Sequence, residues 1–242
     1  MRITRIYYAG DINPGKTITL SPNASNHLIR VLRCRQGTPL TVFNGGGGEY
    51  AAVLLDQNPR AVSVGINEYT GANRESPLQL VLLQGISRSD HMDSTIQKVT
   101  ELGTSAIYPV ICERSHSVGQ DRIRRKHDRW QQIIISACEQ SGRNRLPQLH
   151  EPVSLDAAII RAASPSRLVL DPTAADSIRT ISQQPRQVAV LCGPEGGLTQ
   201  QEIETACRAG FTRISFGPRI LRTETAGPAF ISVLQALWGD MG

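Results

Sequence analysis

Gln187-Val-Ala-Val-Leu-Cys192 runs straight into Gly193-Pro-Glu-Gly-Gly197, then Leu198, then Thr199-Gln-Gln-Glu202. The first six residues are a short apolar run rich in β-branched side chains, the signature of a strand buried on both faces of a parallel sheet. Thr199 and Glu202 have the spacing of a capping box, in which each side chain satisfies a backbone N–H of the other residue and so opens a helix. Strand, glycine turn and capped helix together make the joint of an α/β unit. In parallel α/β sheets ligands bind beyond the carboxyl ends of the strands, and the glycines let backbone approach a ligand unobstructed. Such a turn serves nucleotides and many other molecules, so the joint locates a site without naming its ligand.

Moving outward, strand-like runs recur at LQLVLLQ, SAIYPV, RLVLD and TRISF. Helical segments are expected between them near 91–103, 121–141, 155–163, 174–183, 199–209 and 224–238. The alternation implies a largely parallel sheet covered by helices on both faces. Two more loops follow strands. Asp171-Pro172-Thr173 says little alone. Gly217-Pro-Arg-Ile-Leu-Arg222-Thr-Glu-Thr-Ala226 places two arginines and a glutamate between a buried strand and the apolar closing helix of Phe230, Val233, Leu234 and Leu237. A merely connecting loop has no need of that charge density.

Residues 1–70 have a different rhythm. Short alternating stretches (KTITL, PLTVFN, EYAAVLLD, AVSVGINEY) separated by turn residues predict a small β-barrel. Asn44–Gly48 (NGGGG) lies between two of them and reads as a hairpin connection rather than a phosphate loop, because a strand and not a helix follows it. In Ser25–Arg35 (SNHLIRVLRCR), helical spacing puts Leu28, Val31 and Leu32 on one face and Arg30, Arg33 and Arg35 outward. The polar, unpatterned residues 69–77 are the expected linker, dividing the chain into domains 1–72 and 73–242.

The net charge of +5 favours a polyanionic partner. Eight of the basic residues (Arg114, Arg122, Arg124, Arg125, Lys126, Arg129, Arg143, Arg145) fall between 114 and 145 against three acids. Five cysteines (Cys34, Cys112, Cys138, Cys192, Cys207) form no C-x-x-C pair and fit neither a zinc site nor a disulfide framework, so reduced thiols and no metal are expected. With no long apolar run and no secretory signal pattern, a cytoplasmic protein without a membrane span is expected.

GPEGG followed about twenty residues later by GPRILRTETA resembles the paired carboxy-terminal signatures of the SPOUT superfamily. Within it, the chain resembles the small-subunit ribosomal RNA uridine-N3 methyltransferases. The likeness includes Arg5-Ile-Tyr7, His27–Arg33, Lys98 with Glu101-Leu102-Gly103, Arg129-Trp130 and Glu139-Gln-Ser-Gly-Arg143, and so covers nearly the whole chain. Asn26 departs from it by standing where a second histidine would precede His27. The resemblance implies an amino-terminal PUA-like barrel, a carboxy-terminal α/β domain with a deep trefoil knot, and a homodimer acting on ribosomal RNA. It implies S-adenosylmethionine as cofactor, held at Leu170, at Gly193, Pro194, Glu195, Gly196 and Gly197, and at Phe216, Gly217, Ile220 and Leu221.

For that chemistry, the anion left when uridine N3 loses its proton needs a fixed cation. Arg222 is the first candidate and Arg143 the second. Glu224 or Glu101 would take the proton. Arg5, Arg30 and Arg33 in the barrel and Arg124, Arg125 and Arg129 in the basic run are expected to contact RNA phosphates. Two alternatives stay open: another SPOUT activity such as ribose 2′-O methylation, and a non-catalytic RNA-binding factor in ribosome assembly.

Overall fold

The computed structural model describes residues 3–115, 120–181 and 184–242. The side chain of Arg122, one of the basic run, lies outside the described residues. The chain divides into two compact units. One comprises residues 1–75 with 135–146, and the other 76–134 with 147–242.

In the first unit, β1 (Thr4–Tyr7), β2 (Thr17–Thr19), β3 (Pro39–Phe43), β4 (Glu49–Leu54) and β5 (Ser63–Thr70) form one sheet in the order β1-β3-β4-β5-β2. β1 joins β3 in parallel and the remaining pairs are antiparallel. Ile6 and Ile18 sit on strands at opposite ends of that order yet share one core with Val42, Leu54 and Val64. The sheet therefore curls on itself, as a barrel-like domain requires. The Asn44–Gly48 segment joins β3 to β4, with Gly45, Gly47 and Gly48 all at positive φ.

The Ser25–Arg35 expectation needs correction. A short helix, α1 (Pro22–Asn26), is followed by a π-helical turn over His27–Val31, closed by the Leu32 N–H donating to the His27 carbonyl. The extra residue per turn rotates the apolar face apart. Leu28 is buried, while Val31 and Leu32 are 61% and 44% exposed beside the outward-facing Arg30 and Arg33.

The linker and the 135–146 segment belong to this first unit through polar contacts that sequence spacing cannot reveal. Arg5 and Arg74 both pair with Glu49, and the Arg5 guanidinium also lies over the Phe43 ring. Arg143, 4% exposed, pairs with Glu75, and Asn144 donates to the Ala72 carbonyl. Glu139 accepts the Tyr7 N–H at 2.9 Å; burial pushes its carboxyl above the usual range, against that hydrogen bond and the Arg5 charge.

The second unit carries a seven-stranded, wholly parallel sheet. Its strands are β6 (Gln79–Gly85), β7 (Ala106–Ile111), β8 (Gln148–Leu149), β9 (Val153–Ser154), β10 (Ser166–Leu170), β11 (Gln187–Cys192) and β12 (Thr212–Ile214). The order is β12-β10-β11-β6-β7-β8, with β9 also on β7. β6 and β11 are central and buried along almost their whole length, which is why they read as continuous rather than alternating apolar runs.

Five expected helices appear, as α2 (Ser89–Glu101), α3 (Gln120–Ser141), α4 (Leu155–Arg161), α5 (Gln200–Arg208) and α6 (Thr223–Trp238). The expected helix over 174–183 is reduced to a single 3₁₀ turn, Ile178–Thr180, with 182–183 outside the described residues. Among the described residues no helix is long and apolar enough to cross a membrane. Cys112, Cys138 and Cys192 are buried and all five cysteines are free.

Candidate ligand site at the carboxyl ends of the parallel strands

The Gly193–Gly197 turn is tight because backbone packs on backbone. A Cβ on Gly85, the last residue of β6, would lie 2.5 Å from the Pro194 nitrogen, and one on Gly193 would lie 2.9 Å from the Leu198 nitrogen. Gly197 has φ +69, a left-handed conformation that disfavours side chains. The turn closes with the Gly197 N–H donating to the Pro194 carbonyl at 2.9 Å, and Arg114 donates to the Gly196 carbonyl at 2.9 Å. Behind it the capping box forms as expected. Glu202 Oε2 accepts the Thr199 N–H at 2.8 Å and Thr199 Oγ1 accepts the Glu202 N–H at 3.3 Å.

A polar clamp that the sequence did not reveal ties this turn to the second loop. Gln84 Nε2 lies 3.3 Å from the Gly193 carbonyl and 3.0 Å from Thr223 Oγ1, which itself donates to the Gly193 carbonyl at 2.8 Å. Thr223 is the first residue of α6 and Arg222 its N-cap, so the clamp fixes where α6 begins relative to the turn.

The loop from Phe216 to Arg222 closes the other side. The Phe216 ring packs edge-on against Phe230, and Gly217 takes φ +75. The third loop contributes Asp171, whose buried carboxylate receives Arg213 Nε at 2.8 Å and the Thr173 N–H at 2.9 Å. Burial raises this carboxyl, but the Thr173 and Arg213 hydrogen bonds outweigh it and hold it below the usual range.

These loops enclose a cavity of about 550 Å³, within the range of small-molecule sites. It is lined by Leu170, by all of Gly193–Gly197, and by Phe216, Gly217, Ile220 and Leu221. The structure thus brings together every residue expected to hold a cofactor. Arg222 and Glu224 line it too. Cys192 lies at its floor with its thiol pushed up to about 12 by burial, so it stays protonated.

Two expected catalytic residues are elsewhere. Glu101 is exposed at the far end of α2, where it accepts from Gln97, and His91 near that helix's start is the α2 residue that reaches the cavity. Ten residues of helix separate the two, about 15 Å. Arg143 is buried in the first unit against Glu75 and does not line the cavity.

His91 was missed. Its Nδ1 lies 3.1 Å from Glu195 Oε1 and 3.7 Å from Glu224 Oε2, and its Nε2 is 3.6 Å from the exposed Asp90. The rule that picked the other loops would have found it, since α2 follows the carboxyl end of β6. The Ile86-Ser87-Arg88 connection simply lacks glycine or charge density to draw the eye. Arg88 donates its N–H to Glu195 Oε1 at 2.7 Å. Burial raises the Glu195 carboxyl, but the hydrogen bonds from Arg88 and His91 prevail and hold it below the usual range.

The expected phosphate contacts also sort differently. Arg5 is buried in its pairing with Glu49, and Arg129 pairs with Asp93 at 2.6 Å. Arg30, Arg33, Arg124 and Arg125 are exposed.

A parallel sheet whose glycine turn and arginine-rich loop are clamped around one cavity defines an α/β protein of the SPOUT methyltransferase class. The model of the RNA methyltransferase domain family matches residues 74–235, and this chain belongs to that family. The RNA methyltransferase PUA domain matches residues 20–67. Over 244 residues the chain is 34% identical to ribosomal RNA small subunit methyltransferase E of Buchnera aphidicola subsp. Schizaphis graminum, covering 99% of this chain and 98% of the relative. Two solved structures are similar throughout. A methyltransferase from Legionella pneumophila with SAM bound has a TM-score of 0.96 at 42% identity, covering 99% and 100% of the two chains. Ribosomal RNA small subunit methyltransferase E of Neisseria gonorrhoeae, bound to S-adenosyl methionine, has 0.92 at 37% identity and covers both chains fully.

Proposed function

We propose that this protein transfers the methyl group of S-adenosylmethionine to N3 of a uridine in small-subunit ribosomal RNA. The observation that carries the reading is the single cavity built from both signature loops, in a chain whose full-length relatives include two solved with that cofactor. The residues present fit it. Leu170, Leu198, Ile203 and Ile214 offer apolar walls for an adenine, the glycine turn offers backbone to its edge, and Glu195 and Glu224 offer negative charge to a sulfonium. When bound, the cofactor supplies an electrophilic methyl group.

The chain's own residues do the rest. N3 carries a proton at neutral pH, so a base must accept it as the N–CH₃ bond forms, and the site must hold the reacting atoms in line. Glu224 is the base of this proposal, because its Oε2 is buried in the cavity wall and has no hydrogen-bond partner among the described residues. Arg222 stabilises the negative charge spread over O2 and O4. It is exposed, and neither an ion pair nor a side-chain capping bond holds it among the described residues. Arg222→Ala should therefore leave folding and cofactor affinity intact while slowing single-turnover methylation by about 10²–10³, the cost of one charge-stabilising donor. Near-normal turnover would remove Arg222 from the mechanism.

N3 lies on the Watson–Crick edge, so the target base must be unpaired or extruded. Arg30, Arg33, Arg124 and Arg125 are the proposed phosphate contacts. A cytoplasmic homodimer is the proposed working form; half-exposed Leu237 in the last turn of α6 and Met241 just beyond it give it an apolar surface, and sedimentation would check it. The decisive test is mass spectrometry of 16S ribosomal RNA from a deletion strain. Loss of one N3-methyluridine, restored by the intact gene, is expected; an unchanged profile would overturn the assignment, and loss of a ribose methyl would move it to a 2′-O enzyme.

A further inference from the structure

We propose that His91 is a positioning residue for methyl transfer: held by Glu195, its Nδ1–H orients Glu224 for receipt of the uridine proton. The inference rests on the N3-methyltransferase reading above and adds a residue to it. Three observations carry it. Glu195 Oε1 is pinned by the Arg88 backbone N–H at 2.7 Å and lies 3.1 Å from His91 Nδ1. Glu195 is held as a carboxylate, which only accepts hydrogen bonds, so the nitrogen facing it must carry the proton. That same nitrogen is 3.7 Å from Glu224 Oε2, the buried oxygen without a hydrogen-bond partner. His91 therefore stands between one fixed carboxylate and one whose Oε2 has no hydrogen-bond partner among the described residues.

The charged groups facing this trio come from every element around it. Asp90 lies 3.6 Å from His91 Nε2 and is largely exposed. Asp171, Arg219 and Arg222 complete the charged lining of the cavity, with Asp171 already paired to Arg213. Glu224 itself is fixed by its place in the first turn of α6. In the step itself the uridine N3–H bond breaks toward Glu224 Oε2. The nitrogen pair forms the N–CH₃ bond, and the S–CH₃ pair returns to sulfur as a neutral thioether. The proton left on Glu224 then passes to water as product leaves. A shift of Glu224 of less than 1 Å would bring Oε2 within hydrogen-bond distance of Nδ1.

The test measures single-turnover methylation of small subunits from a strain lacking the modification, alongside S-adenosylmethionine binding by calorimetry. Removing the N–H donor leaves Glu224 without the group that aims its Oε2 at the uridine N3–H, so the reacting atoms are held less well in line. His91→Ala should slow transfer by about 10- to 100-fold and leave cofactor affinity within about threefold. His91→Asn, whose amide nitrogen occupies the Nδ1 position, should restore much of the rate. A merely structural histidine predicts no such rescue. His91→Ala at the wild-type rate, or Asn as slow as Ala, would overturn the proposal while wild-type activity upholds the methyltransferase reading. Wild-type protein that neither binds the cofactor nor methylates would overturn both.

Discussion

Gly193 shows how a single residue can carry the cofactor site. Its φ is ordinary, so conformational freedom does not explain it. What does is the 2.9 Å that would separate a Cβ from the Leu198 nitrogen and 3.0 Å from the Gly197 carbonyl carbon. Those neighbours are backbone and cannot rotate away. Gly193→Ala should therefore open the turn, weakening S-adenosylmethionine at least tenfold by calorimetry, a loss of about 1.4 kcal/mol of binding, in a protein whose far-ultraviolet dichroism is unchanged. Unaltered affinity would show that the turn does not touch the ligand. Gly196 is a poorer test, since its Cβ would meet no backbone atom at close range, only the Arg114 side chain, with Cβ at 3.0 Å and Cδ at 3.3 Å. At this scale the sequence disclosed what is local. The two signature loops could be read because their chemistry is contiguous. Arg5, Arg143 and Arg129 could not, because their acidic partners lie 44, 68 and 36 residues away, and only folding shows that their charge is already neutralised.

Among the elements, α5 tests whether the capping box serves the site as well as the helix. Glu202 does three jobs: it accepts the Thr199 N–H, lends its own N–H to the Thr199 hydroxyl, and accepts the Glu113 N–H at 2.8 Å. The start of α5 is thereby locked to the segment after β7, two residues downstream of the glycine turn. Thr199→Ala removes one cap and should cost about 1 kcal/mol, read as a lowered denaturation midpoint at constant slope. It should also loosen the turn and weaken the cofactor, whereas the equivalent change at Ser154, which caps α4 by accepting the Ala157 N–H, should cost stability alone. Equal effects on affinity would make the cap a stability feature with no bearing on the site. Helices with strong periodicity and clear caps were legible to within two or three residues. The π turn at His27–Val31 was not, because its i→i+5 bond obeys no spacing rule that the residues display, and regular helical geometry placed Val31 and Leu32 inside when they are exposed.

At the scale of the molecule, the change of rhythm near residue 70 announced two units, but the first also takes residues 135–146 from the end of α3 and beyond. A contiguous cut after residue 72 would strand Glu139 without the Tyr7 N–H and Asn144 without the Ala72 carbonyl. Intact protein is therefore the right material for testing the first unit's part in binding RNA. Its candidate surface is the stretch that departed from expectation, with Arg30 and Arg33 exposed beside Val31 and Leu32, and Arg33 at the unusual φ of 54. Each phosphate contact on single-stranded RNA releases about 0.7 counterion, so affinity falls with salt at a slope of that size per contact. Replacing Arg30 and Arg33 by alanine should flatten the slope for a 16S fragment by about 1 to 2 units without altering cofactor affinity. Arg5→Ala is the matched control, since its guanidinium is buried between Glu49 and Phe43. It should lower stability and leave the slope alone. A slope unchanged in the double variant would exclude this surface from RNA contact and leave Arg124 and Arg125 on α3 as the remaining proposed phosphate contacts.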